Sequence, residues 1–197
     1  MPDHDSQRRE PKRSARILDG LARAERALFT RPAPKSARAQ MKFLLKRSKG
    51  SVRAVAERLG VSRRTVERYR SGDATKPQKR LQDALMEETE SEWQPQVRAH
   101  ARQRAASSAG LVISCRAYFG FGPDGTSDAG RVRDLSVAVA PFHAAAILAA
   151  QDAGATDSDL HKLVAEAIAD AYFRQGGGGR AGLEVEFADV EWLDIAF

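Results

Sequence analysis

Within twenty residues, Val52 to Ser71 (VRAVAERLGVSRRTVERYRS), the chain places apolar or small residues at Val55, Ala56, Leu59, Val61, Val66 and Tyr69, with Gly60 among them. Two short helices that cross steeply close a core only when each turns one stripe inward. Val55 and Leu59, four apart, supply the first stripe; Val61, Val66 and Tyr69 supply the second. Gly60 falls where the chain must turn through a left-handed conformation that costs glycine little, and Ser62 follows as the expected N-cap of the second helix. The pattern predicts a helix-turn-helix. Its second helix leaves Arg63, Arg64, Arg68 and Arg70 outward, a composition suited to entering a DNA major groove N-terminus first, with guanidinium groups for phosphates and guanine edges. Ser62 and Thr65 at the helix start and Lys76 in the loop GDATKPQKR complete the contacts expected there. A helical hairpin with a merely solvated basic face is the bland alternative; six positional matches and the glycine favour DNA.

Charge divides the chain in the same sense. Residues 1–104 carry 26 Lys and Arg against 13 Asp and Glu, whereas residues 105–197 carry 6 against 13. The first part is attracted to a polyanion by long-range forces and counterion release; the second is repelled from it. At 197 residues the chain has room for one large or two small domains.

Three domains are expected: a basic arm at 1–16, disordered when free; a helical DNA-binding domain at 17–106; and an acidic α+β domain at 107–197. In the second, Ile17, Leu21, Ala24 and Leu28 predict an amphipathic helix ended by Pro32 and Pro34. A further helix beginning near Met41 offers Lys42 and Lys46 to phosphates while supporting the motif. After the motif, Leu81, Leu85, Thr89 and Trp93 share one helix face up to Pro95, and Arg98 and Arg102 beyond it are candidate phosphate contacts, with a solvated linker helix the equal alternative. The third domain opens with LVISCRAYFGF and VRDLSVAVA, two antiparallel strands joined through GPDGTSDAGR. Helices follow at Phe142–Ala153 and Asp157–Phe173, then a glycine run at 176–179 and a strand in LEVEFADVEWLDIAF. The fold class is therefore α+β: an all-helical N-terminal domain followed by about three antiparallel strands and two helices.

Catalytic signals are weak. The single Cys115, set in LVISCRAYF, reads as a buried core residue and points to a reducing compartment. His4, His100, His143 and His161 lie far apart, so no metal site is assigned. There is no GxSxG, Walker A or HExxH motif, and no apolar run of membrane-spanning length, so a soluble, cytoplasmic protein with no membrane partner is expected. The loop Gly125-Thr126-Ser127-Asp128 sets two adjacent hydroxyls on a turn, where such groups ordinarily only close the backbone.

Taken in order, FTRPAPKSARAQMKFLLK, AVAERLGVSRRTVERY, WQPQVRAHARQRAA, GTSDAGRVRDL, DAGATDSDLHKLVAEAIADAYFR and GLEVEFADVEWLDI closely resemble the telomere terminal proteins of linear actinomycete chromosomes and plasmids. The likeness runs from about residue 22 to the C-terminus. It implies a protein that is not an enzyme but a primer: a Ser or Thr hydroxyl accepts the first deoxynucleotide from a DNA polymerase and stays covalently attached to the 5′ end of linear DNA. It also implies three partners: telomeric DNA, the polymerase and a telomere-associated DNA-binding protein. The chain itself needs no cofactor; the divalent metal and the deoxynucleoside triphosphate are bound by the polymerase. The family's attachment residue is the second hydroxyl of a Gly-Thr-Thr sequence. Ser127 occupies that position here and Thr126 keeps the residue type one place earlier, so the acceptor is assigned to the pair, Ser127 first. The alternative from another class is a helix-turn-helix transcription or plasmid-partition regulator that binds DNA reversibly.

Overall fold

The computed structural model describes residues 16–121, 130–174 and 185–197. The chain divides into two compact units, one containing Ile17–Ala27 and His100–Phe197, the other Leu28–Ala99.

The Leu28–Ala99 unit is wholly helical. Each of its first three helices starts on a serine whose hydroxyl accepts a backbone N–H three residues on. Ser36 caps α2 (Ala37–Arg47), Ser51 caps α3 (Val52–Leu59) and Ser62 caps α4 (Arg63–Ser71). Gly60, at φ 63°, ends α3 in the left-handed conformation. Gly72, at φ 99°, ends α4 likewise. The stripe Val55, Ala56 and Leu59 packs with Val66 and Tyr69 against Met41, Leu44 and Leu45 of α2. Leu81 and Leu85 of α5 (Lys79–Glu92) complete that core. Val61, expected in it, is only partly buried at its edge. Thr89 is buried on the same α5 face, and the Trp93 ring meets Phe43 edge-on at 5.1 Å.

Ion pairs outside this core tie α5 to its neighbours. Glu92 accepts from Arg47 of α2 at 2.7 Å and from Arg58 of α3, which also reaches Glu88. Burial pushes the Glu92 carboxyl up, but the two arginine hydrogen bonds outweigh it and hold the group below its ordinary value.

The other unit is a three-stranded antiparallel sheet of order β2-β1-β3, from β1 (Leu111–Phe121), β2 (Arg131–Val139) and β3 (Val185–Ala196). Alternation sends Ile113, Cys115, Ala117 and Phe119 of β1 inward with Leu135, Val137, Phe187, Leu193 and Ile195. They pack on α7 (Pro141–Asp152) and α8 (Asp157–Ile168), which a capping box at Thr156 and Asp159 begins. Two π-helical turns, Ala105–Ala109 and Ala169–Arg174, flank these elements. Where β1 meets β3 the register shifts between Arg116 and Tyr118, a bulge in which Asp189 sits at φ 45°. Cys115 lies inside the sheet core, its thiol pushed up to about 12 mainly by burial, with Asp134 adding. It is a packing residue, as its apolar neighbours imply.

Two expectations need correction. Helix α1 (Ile17–Ala27), expected with the DNA-binding helices, belongs to the sheet unit. Ile17, Leu21 and Ala24 join the sheet core, and Gly20 permits the close approach, since a Cβ there would lie 3.1 Å from Leu193. Arg23 donates to the Leu193 carbonyl at 2.6 Å, and the Leu18 N–H to Asp157 at 3.0 Å. The boundary expected at 106/107 therefore falls at 27/28 and 99/100, within α6 (Pro95–Arg104). The expected basic arm falls almost entirely on residues 1–15, outside the described residues.

The second correction concerns Arg98 and Arg102, expected on phosphates. Arg98 is half-buried and donates to the Ser91 carbonyl. Arg102 holds α6 to α1 and α7 through Glu25 (2.6 Å), Gln151 (2.7 Å), Asp152 (2.5 Å) and the Leu148 carbonyl (3.1 Å). Both terminal nitrogens of the guanidinium are thus engaged within the protein.

Two outcomes follow. Arg102→Met should cost about 2–4 kcal/mol in urea unfolding, because it strands partly buried acceptors, and should leave DNA affinity and its salt dependence unchanged. A smaller salt slope with intact stability would instead make Arg102 a phosphate contact. Glu92→Gln should cost about 1 kcal/mol at pH 7. A depressed folded pKa gives stability that is complete above the ordinary Glu value and lost as pH falls through the lowered one. The difference between wild type and Glu92→Gln in thermal unfolding should therefore be constant from neutrality to about pH 5 and close below about pH 4. A difference that persists at pH 3 would show that charge is not its source.

Candidate nucleic-acid interface

The side chains of α4 divide as the crossing of α3 and α4 requires. Val66 and Tyr69 are buried, while Arg63, Arg64, Arg68 and Arg70 are exposed along the remaining surface. Among the described residues, no carboxylate forms a salt bridge with any of these four arginines. Glu67 is exposed on α4 among them; of the next acids in sequence, Glu57 pairs with Arg53 and Asp73 accepts from the Ser71 hydroxyl. Over Leu28–Ala99 the sequence has 17 Lys and Arg against 8 Asp and Glu. With four arginines against the single Glu67, α4 carries a net positive charge that no salt bridge offsets among the described residues.

Ser62 and Thr65 have a prior task. The Ser62 Oγ accepts the Thr65 N–H at 3.1 Å and pairs with the Thr65 hydroxyl at 2.9 Å, so the two build the helix start. Lys42 and Lys46 are exposed one turn apart on α2.

Lys76 shares with Arg68 a cleft of about 590 Å³ beside α4. Leu59, Tyr69 and Leu81 supply apolar lining; Thr65, Gln78 and Arg80 add polar groups. The Tyr69 hydroxyl donates to the Lys76 carbonyl at 3.1 Å and ties the loop to the helix. At the start of α5, Gln78 makes no side-chain cap and the first turn holds no acid, so its backbone N–H groups and dipole favour an anion. Arg80 and Gln78 escaped the sequence reading. The available signal was a helix start, Pro77-Gln78-Lys79-Arg80, with neither a capping residue nor an acid.

The acceptor pair Thr126 and Ser127 falls in residues 122–129, outside the described residues. Elsewhere in the sheet unit, buried His143 shares a hydrogen bond of 2.8 Å with Asp170, which also accepts from Arg174 at 2.5 Å. The Arg174 hydrogen bond is the main reason the Asp170 carboxyl sits below its ordinary value; burial opposes it and His143 assists. This cluster joins α7 to the π-helical turn after α8. Among the described residues no group of His, Cys, Asp and Glu is placed to hold a metal, and no helix is long and apolar enough to cross a membrane.

Residues 32–73 match the homeodomain-like domain family, a span that takes in α2, α3 and α4. No curated protein and no solved structure is significantly similar to the chain. The family match supports a DNA-binding role for this module.

Replacing Arg64, Arg68 or Arg80 singly by Ala should weaken duplex binding. Each lost phosphate contact should flatten the plot of log affinity against log salt by about 0.9, with far-UV circular dichroism unchanged. An unchanged slope in all three variants would remove α4 and its cleft from the DNA surface.

Proposed function

We propose that the chain is a terminal protein of linear DNA: its helix-turn-helix holds a DNA end while the Thr126/Ser127 segment accepts the first deoxynucleotide of end-patching synthesis. One observation carries this reading. A homeodomain-like module with a net-basic helix is joined to an acidic α+β unit, and the hydroxyl pair lies in the connection between strands β1 and β2 of that unit. A net-negative unit is a poor place to hold DNA reversibly and a suitable one for presenting a nucleophile to another protein.

The chemistry asks little of this chain. A Ser127 or Thr126 hydroxyl attacks the α-phosphorus of the triphosphate, a phosphoester P–O bond forms, pyrophosphate leaves, and the hydroxyl proton passes to solvent or to a base of the polymerase. The polymerase's divalent metal neutralises the triphosphate. The chain's own task is to deliver an unhindered hydroxyl in line with the leaving group. Partners on this reading are telomeric DNA, the polymerase and a telomere-associated DNA-binding protein, and the protein acts at nucleoid DNA ends.

The family match alone fits a second reading equally, a reversible helix-turn-helix regulator. Incubation with polymerase, telomere-associated partner and labelled deoxynucleotide distinguishes the two. The terminal protein becomes labelled in a form that survives boiling in detergent, and the adduct maps to residues 126–127. Thr126→Ala/Ser127→Ala loses the label. Label retained by the double variant overturns the acceptor assignment; no stable label on wild type, together with reversible operator binding, establishes the regulator.

A further inference from the structure

The helices of the sheet unit pack on one face of the sheet, and the opposite face stays open to solvent. Along β1 it presents Val112, Ser114, Arg116 and Tyr118; across the registers stand Ala138, Ser136, Asp134 and Val132 of β2 and Ala196, Asp194, Trp192 and Ala188 of β3. Val132 is 46% exposed and Val112 41%, so apolar rungs remain uncovered at both ends of the face. Arg116 is committed to Asp134 (2.5 Å) and to Glu191 (2.9 Å), which the β3 bulge turns toward it. Asp194 and Glu186 then leave the face with a negative excess.

We infer that this open sheet face docks a basic protein segment, and that a hollow over Ser114 and Ser136 receives one of its arginine side chains. The hollow measures about 370 Å³, with Asp134, Asp194 and Trp192 around it. It exists because two short serines face each other between longer side chains. Their hydroxyls lie 2.9 Å apart, so one donates to the other and lone pairs remain to accept from a guest.

Geometry selects the guest. Asp134 and Asp194 stand on the two outer strands, one rung apart, which puts their backbones about 12 Å from each other. A guanidinium gripped from both sides spans carboxylate oxygens about 8 Å apart, a distance that two aspartate side chains can close to from that backbone separation. The side chains of Asp134 and Asp194 are 58% and 53% exposed despite their contacts with Arg116 and Arg23. Oxygens therefore remain available. A planar group with five donors fits between two carboxylates, two hydroxyls and an indole wall better than a compact ammonium with three. Phosphate and anionic lipid are repelled from the same face, which commits it to protein.

The test uses the full chain, 15N-labelled, with the Trp192 indole resonance assigned by comparison with Trp93→Phe. An eight-residue peptide alternating Arg and Ala should shift the Trp192 indole signal and the amides of residues 112–118 and 132–138 saturably. Its citrulline analogue, isosteric but neutral, should not. The lysine analogue should bind about 5-fold more weakly. Asp134→Asn/Asp194→Asn should lower affinity about 10-fold. Ser136→Val, which fills the hollow without changing charge, should lower it about 5-fold in a chain that still folds. Equal binding by wild type and Ser136→Val, or peptide shifts confined to the α5 acids, would overturn the assignment. So would self-association of wild type abolished by Asp134→Asn/Asp194→Asn, since the occupant would then be a second copy.

Discussion

The turn at Gly60 sets the crossing of α3 and α4, and the identity of the exposed basic surface depends on that crossing. A left-handed residue there ends α3 and redirects the chain within two residues, so that the Ser62 hydroxyl can start α4 at once. Once α3 and α4 share the core with α2 and α5, the positions left outward on α4 are fixed by helical periodicity, and the sequence has arginine at four of them. A residue with a Cβ at Gly60 would pay for positive φ in backbone strain, although the space around it is open. The constraint is conformational and not one of packing.

Electrostatics reinforces that geometry through a division between arginines. Arg47 and Arg58 of α2 and α3 are pinned by Glu88 and Glu92 of α5 and act as scaffold. Arg63, Arg64, Arg68 and Arg70 face no such acids. Glu88 and Glu92 are thus committed to holding the helices together, and α4 keeps a net positive charge, with four arginines against the single Glu67. The uncapped start of α5 adds its partial positive charge beside Arg68 and Lys76.

What was legible in the sequence, and what was not, follows from the same physics. Periodicity exposed the α3 and α4 stripes, the Leu81–Leu85–Thr89–Trp93 face and the alternation of β1, because each is a local pattern with a fixed repeat. Periodicity reports that a face is buried, not against what. The stripe of α1 was therefore visible while its partner, the sheet some 170 residues further on, was not. Charge has the same blindness: Arg98 and Arg102 look identical in sequence to Arg64 and Arg68, and only the acceptors brought up by α1, α5 and α7 show that they are structural. The β3 bulge, which aims Glu191 at Arg116, has no local signature beyond an ordinary Asp189. The site fared unevenly for this reason. Its α4 half is a local motif; the cleft walls at Gln78 and Arg80 depend on how α5 starts.

The opposite charges of the two units have a consequence for assembly. A surface that attracts phosphate and a surface that attracts guanidinium do not compete for one ligand, so DNA on α4 and a basic protein segment on the sheet can be held together. Both attachments weaken as salt rises, since each depends on opposite charges meeting at an exposed surface. They weaken differently, however. Displacing ions condensed on DNA gives a steep dependence proportional to the number of phosphates covered, whereas one arginine gripped by two carboxylates is screened only as a local pair. In rising salt the DNA should therefore leave first and the protein partner stay. On the proposed reading as a terminal protein this ordering has a use: a covalent bond to the DNA end would make reversible DNA contact dispensable, while the protein contact would still position the chain.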